Sequence, residues 1–233
     1  MKQLNFFGLL FLILTCRILS AQEIDKNYLL GRFDPAKDDR FIKPDDAYTE
    51  GSARSQYLRK ETYETFVRMA DAAKKDGVKL VIISATRNFD QQKAIWDRKW
   101  QADMVSTDDV HRAKKIMLYS SMPGTSRHHW GTDIDLNNLN NDYFEKGKGL
   151  KIYNWLKNHA AEYGFCQPYT NKDNGRTGYE EEKWHWSYTP LSNDLLKQYK
   201  EQVAYEDITG FNGSNIAPLI DVIRSYVDGV NCR

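Results

Sequence analysis

Ser126-Arg127-His128-His129-Trp130-Gly131-Thr132-Asp133-Ile134-Asp135 decides how this chain is read, and Glu182-Lys183-Trp184-His185 completes it. Together the two segments offer His128, Asp135 and His185, the nitrogen and oxygen donors that zinc takes in tetrahedral sites. Three protein ligands leave a fourth position for water, which separates a catalytic zinc from a structural one. Glu182 is a further carboxylate, placed to act as a base. His128 and Asp135 are seven residues apart. On one continuous strand that odd spacing would send them to opposite faces. A bend at Gly131 is therefore expected, with a turn or bulge where the strand carrying His185 begins.

Each segment alone is a weak signal. A histidine beside a glycine is commonly a surface or packing residue, and Glu180-Glu181-Glu182 reads equally well as a solvated acidic run. Their coincidence carries the reading, because the chain has five histidines and two fall where the site needs them. On a strand, His129 would face away from His128 and serve packing. Asp133 is expected beside the ligands or in solvent rather than as a ligand. His111 and His159 fall on expected helices and face water.

Residues 1–21 read as an export signal: Lys2, an apolar run from Phe6 to Cys16, then Leu19-Ser20-Ala21 at a cleavage point. The alternatives are an uncleaved anchor, disfavoured by the short run, and a lipoprotein, disfavoured by Thr15 before Cys16. Loss of Lys2 and Arg17 leaves 31 basic against 32 acidic residues, a net charge of −1 with no basic tract. That excludes nucleic acid as an expected partner. The remainder suits one domain, 55–233, behind a polar, loosely structured lead-in at 22–54, with no stable membrane span after processing. Cys166 and Cys232 remain; in an oxidising compartment they can pair, or stay as two free thiols.

The pattern of elements is α+β. Helical stripes cover 61–76, 89–100, 109–121, 150–163, 194–203 and 217–227, the second opened by an Asn88/Gln91 capping box. Strands are expected at 78–83 and 183–188, so a small antiparallel sheet is flanked by helices. Ser84-Ala85-Thr86-Arg87-Asn88 follows the first strand, which puts Arg87 at a strand end. Its planar fork there suits a carboxylate or a polarised carbonyl, although an ordinary surface arginine fits the segment as well.

Taken in order, Ser84-Ala85-Thr86-Arg87-Asn88 with Gln92, Pro123-Gly124-Thr125-Ser126-Arg127-His128 through Asp135, and Glu182-Lys183-Trp184-His185 resemble the VanY-type D-alanyl-D-alanine carboxypeptidases. These belong to the LAS group of zinc metallopeptidases, with a Hedgehog-like fold. The family pattern is S-G-Y-R-S with a following Q, then P-G-x-S-x-H-x-x-G-x-A-x-D, then E-x-W-H. The resemblance spans about residues 55–190. Departures are Ala85-Thr86 for Gly-Tyr, Asn88 for Ser and Asp133 for Ala; none removes a ligand or the base.

The resemblance implies that His128, Asp135 and His185 bind Zn2+ and that Glu182 is the catalytic base. It further implies that Arg87 binds substrate and stabilises the transition state, with Gln92 and Ser126 lining the substrate pocket. The implied activity is D,D-carboxypeptidase action on peptidoglycan stem peptides, in the periplasm or cell envelope of a bacterium. An L,D-carboxypeptidase or endopeptidase on the same scaffold is the alternative, as is a non-catalytic, zinc-stabilised wall-binding module. The sequence leaves the oligomeric state open.

Overall fold

Asp25 caps the first helical turn, α1 (Lys26–Leu29), by accepting a hydrogen bond from the Asn27 N–H. This computed structural model describes residues 23–232, so the expected export signal lies outside the described residues. β1 (Phe41–Ile42) and β2 (Leu58–Arg59) form a two-stranded antiparallel ribbon. Helix α2 (Lys60–Lys75) follows at once, burying Thr62, Thr65, Phe66, Met69, Ala70 and Ala73 on one helical face. The strand expected from Val78 starts later, at β3 (Ile82–Ser84). Val78, Leu80 and Val81 are buried, but Asn137 holds this segment, donating to Lys79 O from its side chain and to Val81 O from its backbone.

The Asn88/Gln91 capping box forms with both reciprocal bonds and opens α3 (Phe89–Ala102). Helix α4 (Asp109–Ile116) is shorter than its sequence stripe. Then come β4 (Asp133–Leu136), α5 (Gly147–His159), β5 (Phe165–Cys166), β6 (His185–Tyr188) and α6 (Thr189–Gln202). The helix expected at 217–227 does not form as an α-helix; short turns run to a single π-turn at Ile223–Val227. Asp221 has φ 49°, a left-handed backbone that an α-helix of L-residues cannot hold.

The central sheet has the order β3-β4-β6-β5, antiparallel throughout. In the β4–β6 ladder Asp133 faces Ser187, Ile134 faces Trp186 and Asp135 faces His185. Alternation therefore sends Asp133, Asp135, His185 and Ser187 to one face. Ile134, Leu136 and Trp186 go to the other, where they join Phe66, Met69, Ile152 and Leu156 of α2 and α5 in one core. A second core gathers Leu29, Trp96, Met117, Trp130 and Tyr199 with the C-terminal turns.

The lead-in is not loose. Tyr28 OH donates to Trp130 O and Trp130 Nε1 donates to Leu29 O, while Phe89 N–H bonds to Gly31 O. The expectation failed because short 3-10 turns capped by aspartate, at Asp34 and Asp45, carry no long period to read.

Cys166 and Cys232 are joined by a disulfide, with Cα atoms 5.9 Å apart. It ties the end of the chain to β5, whose neighbour β6 carries His185. The bond closes a loop over a sequence separation of 66, for which chain entropy gives about 4 kcal/mol. We expect Cys232→Ser to lower the unfolding free energy by about 2–5 kcal/mol in urea denaturation. Reduction of the parent protein should reproduce that loss and leave the variant unaffected.

Candidate active site

The bend expected between His128 and Asp135 is a 3-10 turn, Arg127–Trp130, followed by Gly131 at φ 74°. A side chain at Gly131 would collide with the Phe41 ring and occupy a backbone region that L-residues rarely adopt. His129 therefore sits on a turn and not on a strand. Its Nε2 accepts from the Gly124 N–H at 3.0 Å, which leaves Nδ1–H to donate to Arg87 O at 2.6 Å. Burial holds this imidazole neutral, its pKa pushed down to about 3. His129 thus fastens the Pro123-Gly124 segment to the loop bearing Arg87.

His128 Nδ1 lies 2.8 Å from Ala85 O, and His185 Nε2 lies 2.9 Å from Asp133 Oδ2. A carbonyl and an ionised carboxylate only accept, so each imidazole commits its proton there. The other ring nitrogens then present lone pairs inward. His128 Nε2 is 3.3 Å and His185 Nδ1 3.2 Å from Asp135 Oδ1. That oxygen is buried without a hydrogen-bond donor. Three buried acceptors facing one another repel unless a cation sits among them. The three donor atoms lie within 4.8 Å of one another, and tetrahedral ligands about 2.0–2.1 Å from zinc are themselves about 3.4 Å apart. The donor set and its spacing fit zinc.

Glu182 comes to the same point through a turn, in which His185 N–H bonds to Glu182 O. Its Oε2 is 3.2 Å from His185 Nδ1. Burial raises its pKa above the ordinary range, against the pull of His185. Burial also opposes charge on His185, but the carboxylates of Asp133, Asp135 and Glu182 outweigh it and raise its proton affinity. The same field attracts a metal cation.

Asp133 is fully buried, not solvated, and has four donors. Arg127 Nε is 3.0 Å and His185 Nε2 2.9 Å from its Oδ2, while Thr132 Oγ1 and Ser187 Oγ reach its Oδ1 at 2.8 and 2.9 Å. Burial works against its charge, yet Arg127 and His185 hold it well below the usual carboxylate range. Arg127 also donates to Ser187 Oγ at 2.7 Å. Carboxylates that accept from a ligand imidazole fix its tautomer and ring orientation. Sequence reasoning left Arg127 and Ser187 without a role; the strand alternation 133/135 against 185/187 was the signal that could have found Ser187.

Arg87 stands on the loop after β3. Its Nη1 is 3.7 Å from Asp135 Oδ2 and donates to Ser84 Oγ, and its Nε donates to Gln92 Oε1 at 3.0 Å. Gln92 Nε2 is anchored on Ser121 O at 2.8 Å. Ser126 Oγ is buried with no partner and lines the same cleft of about 740 Å3. Tyr169 packs its ring 4.8 Å from His185, and its position was not anticipated. His111 and His159 lie away from the cleft, beside Asp108 and Glu162.

The family model VanY, D-alanyl-D-alanine carboxypeptidase, matches residues 55–191, and the chain belongs to that family. YodJ of Bacillus subtilis (strain 168) is 32% identical over 193 residues, 77% of this chain and 66% of that protein, so the chain spans a little under two thirds of its relative's length. Among solved structures, the LdcB LD-carboxypeptidase superposes with a TM-score of 0.55 at 25% identity, covering 73% of this chain and 80% of LdcB. A mutant of the vancomycin-resistance D,D-pentapeptidase VanY, in complex with Zn(II), gives a TM-score of 0.50 at 24% identity, covering 68% of this chain and 87% of that one. The fold is that of these peptidases.

Asp133 stands where the family pattern has alanine. Asp133→Asn keeps its shape but removes the charge that orients His185 and pairs Arg127. Zinc affinity is expected to fall by about 10- to 100-fold, measured by competition with a fluorescent chelator on the folded variant. An unchanged affinity would remove Asp133 from the metal's support.

Proposed function

We propose that this chain is a zinc-dependent D,D-carboxypeptidase that removes the terminal D-alanine of peptidoglycan stem peptides in the cell envelope, after export. The observation that carries the reading is the convergence of three buried lone-pair donors beside Glu182 Oε2, on the floor of a cleft. His128, Asp135 and His185 would hold the ion. Zinc bound there supplies Lewis acidity toward water and the scissile carbonyl.

The protein's own groups account for the proton and the charge. Glu182 takes a proton from the attacking water as its oxygen bonds to the carbonyl carbon. It then delivers that proton to the leaving amine as the C–N bond breaks. Arg87, locked by Ser84 and Gln92, presents its guanidinium where negative charge develops on the carbonyl oxygen. Ser126, with its unpartnered hydroxyl, offers the bound peptide a hydrogen bond that no protein group competes for.

A second reading, L,D-carboxypeptidase action on a tetrapeptide stem, is favoured by the likeness to LdcB. Mass spectrometry of muropeptides incubated with the zinc-loaded protein separates these outcomes. Loss of D-alanine from pentapeptides supports the D,D reading, and loss from tetrapeptides the L,D reading. Cleaved cross-links would indicate an endopeptidase, and binding without product a wall-binding module. Glu182→Ala is expected to keep its zinc while turnover falls by about 10²- to 10⁴-fold. Full activity in that zinc-loaded variant would sink the assignment of the base.

A further inference from the structure

Helix α3 carries Gln92, Ile95 and Lys99 into the cleft at helical spacing. Lys99 is half-buried there, and its ammonium donates to Ser120 Oγ. Its neighbour Arg98 lines the same cleft, and among the described residues the Lys99 ammonium has no carboxylate partner beside Ser120. The cations around Lys99 make this costly. Burial and then Arg98 lower its proton affinity, with Arg87 adding to the effect and Glu182 opposing it. A half-buried ammonium that shares its cleft with two arginines gains from an incoming anion. Gln92 and Ser84 hold Arg87 beside Asp135, at the metal-donor end of the cleft. Lys99 lies seven residues beyond Gln92, about 10 Å along the helix. Two or three residues of extended peptide span about 7–10 Å.

Lys99, flanked by Arg98, is in our inference a carboxylate-binding station of the cleft: we propose that it holds a free carboxylate of the peptide away from the carbonyl under attack. The distance along α3 suits an acidic side chain two or three residues from the carbonyl, whereas the terminus of a single leaving residue lies only one residue from it. This inference rests on the peptidase reading above for its substrate class.

The test compares the parent, Lys99→Met and Lys99→Arg proteins, all zinc-loaded, on three synthetic pentapeptides ending in D-Ala-D-Ala. One bears both carboxylates, one has an amidated terminus, and one has an amidated acidic side chain. On the diacid, Lys99→Met is expected to raise KM by about 10- to 100-fold with kcat little changed, while Lys99→Arg stays near the parent. The penalty should vanish on the peptide with the amidated side chain and persist on the one with the amidated terminus; the reverse pattern overturns the assignment. An unchanged KM on the diacid, or an equal loss on all three peptides, overturns the proposal. Calorimetric binding of the diacid to Glu182→Ala, with and without Lys99→Met, reads the station without turnover. If the parent cleaves none of the peptides, the peptidase reading fails, while this binding comparison still decides the role of Lys99.

Discussion

The antiparallel register of β4 against β6 is the constraint on which the site depends. It sets Asp135 opposite His185 and Asp133 opposite Ser187 on one face, so one ladder supplies two of the three donors of the candidate metal site and the support behind one of them. A slip of one residue would exchange Asp133 and Asp135 for Ile134 and Leu136 on that face. It would also bury two carboxylates against Phe66, Met69 and Leu156. Unpaired ions in such a place are disfavoured by several kcal/mol each. The apolar face of the sheet, packed under α2 and α5, therefore fixes the register that the polar face needs.

The third donor reaches this ladder by a different device. His128 rides on a 3-10 turn whose exit requires the left-handed backbone of Gly131. That turn is held from outside the sheet: Tyr28 caps Trp130 O, Arg59 N–H bonds to Gly131 O, and Tyr199 OH donates to Gly124 O at 2.8 Å. Segments from residue 28 to residue 199 thus converge on one turn. The N-terminal stretch belongs to the site's scaffold, although nothing in its local composition announces it.

How much was legible follows from the range of each interaction. The capping box at Asn88 and Gln91 acts over three residues and is visible in sequence, as are the helical stripes of α2 and α5. The cluster of His128, Asp135, His185 and Glu182 could be named because suitable residue types coincide in two short segments and those segments resemble the family pattern. His129 was assigned to a strand because periodicity cannot distinguish a turn that a distant Phe41 and Tyr28 enforce. The terminal helix failed at Asp221, whose positive φ leaves no compositional mark. In sequence Lys99 reads as a solvated helical lysine, because the cleft wall around it is assembled only by the fold.

Asp133 shows how the charges of the site are balanced. A fully buried Arg127–Asp133 pair contributes little stability by itself, since desolvation of both ions offsets their attraction. What the pair supplies is a carboxylate that stays ionised with every lone pair engaged. Thr132 and Ser187 satisfy one oxygen, and Arg127 and His185 the other. An ionised acceptor at Nε2 obliges His185 to turn Nδ1 toward Asp135, whereas alanine at this position would leave the ring to choose its tautomer or find another acceptor. Two of the three imidazole and carboxylate donors are then aimed by backbone or buried charge before any ion arrives. Asp135 and His185 are held opposite each other by the sheet register and His128 by its turn, so the donors stand converged before an ion arrives.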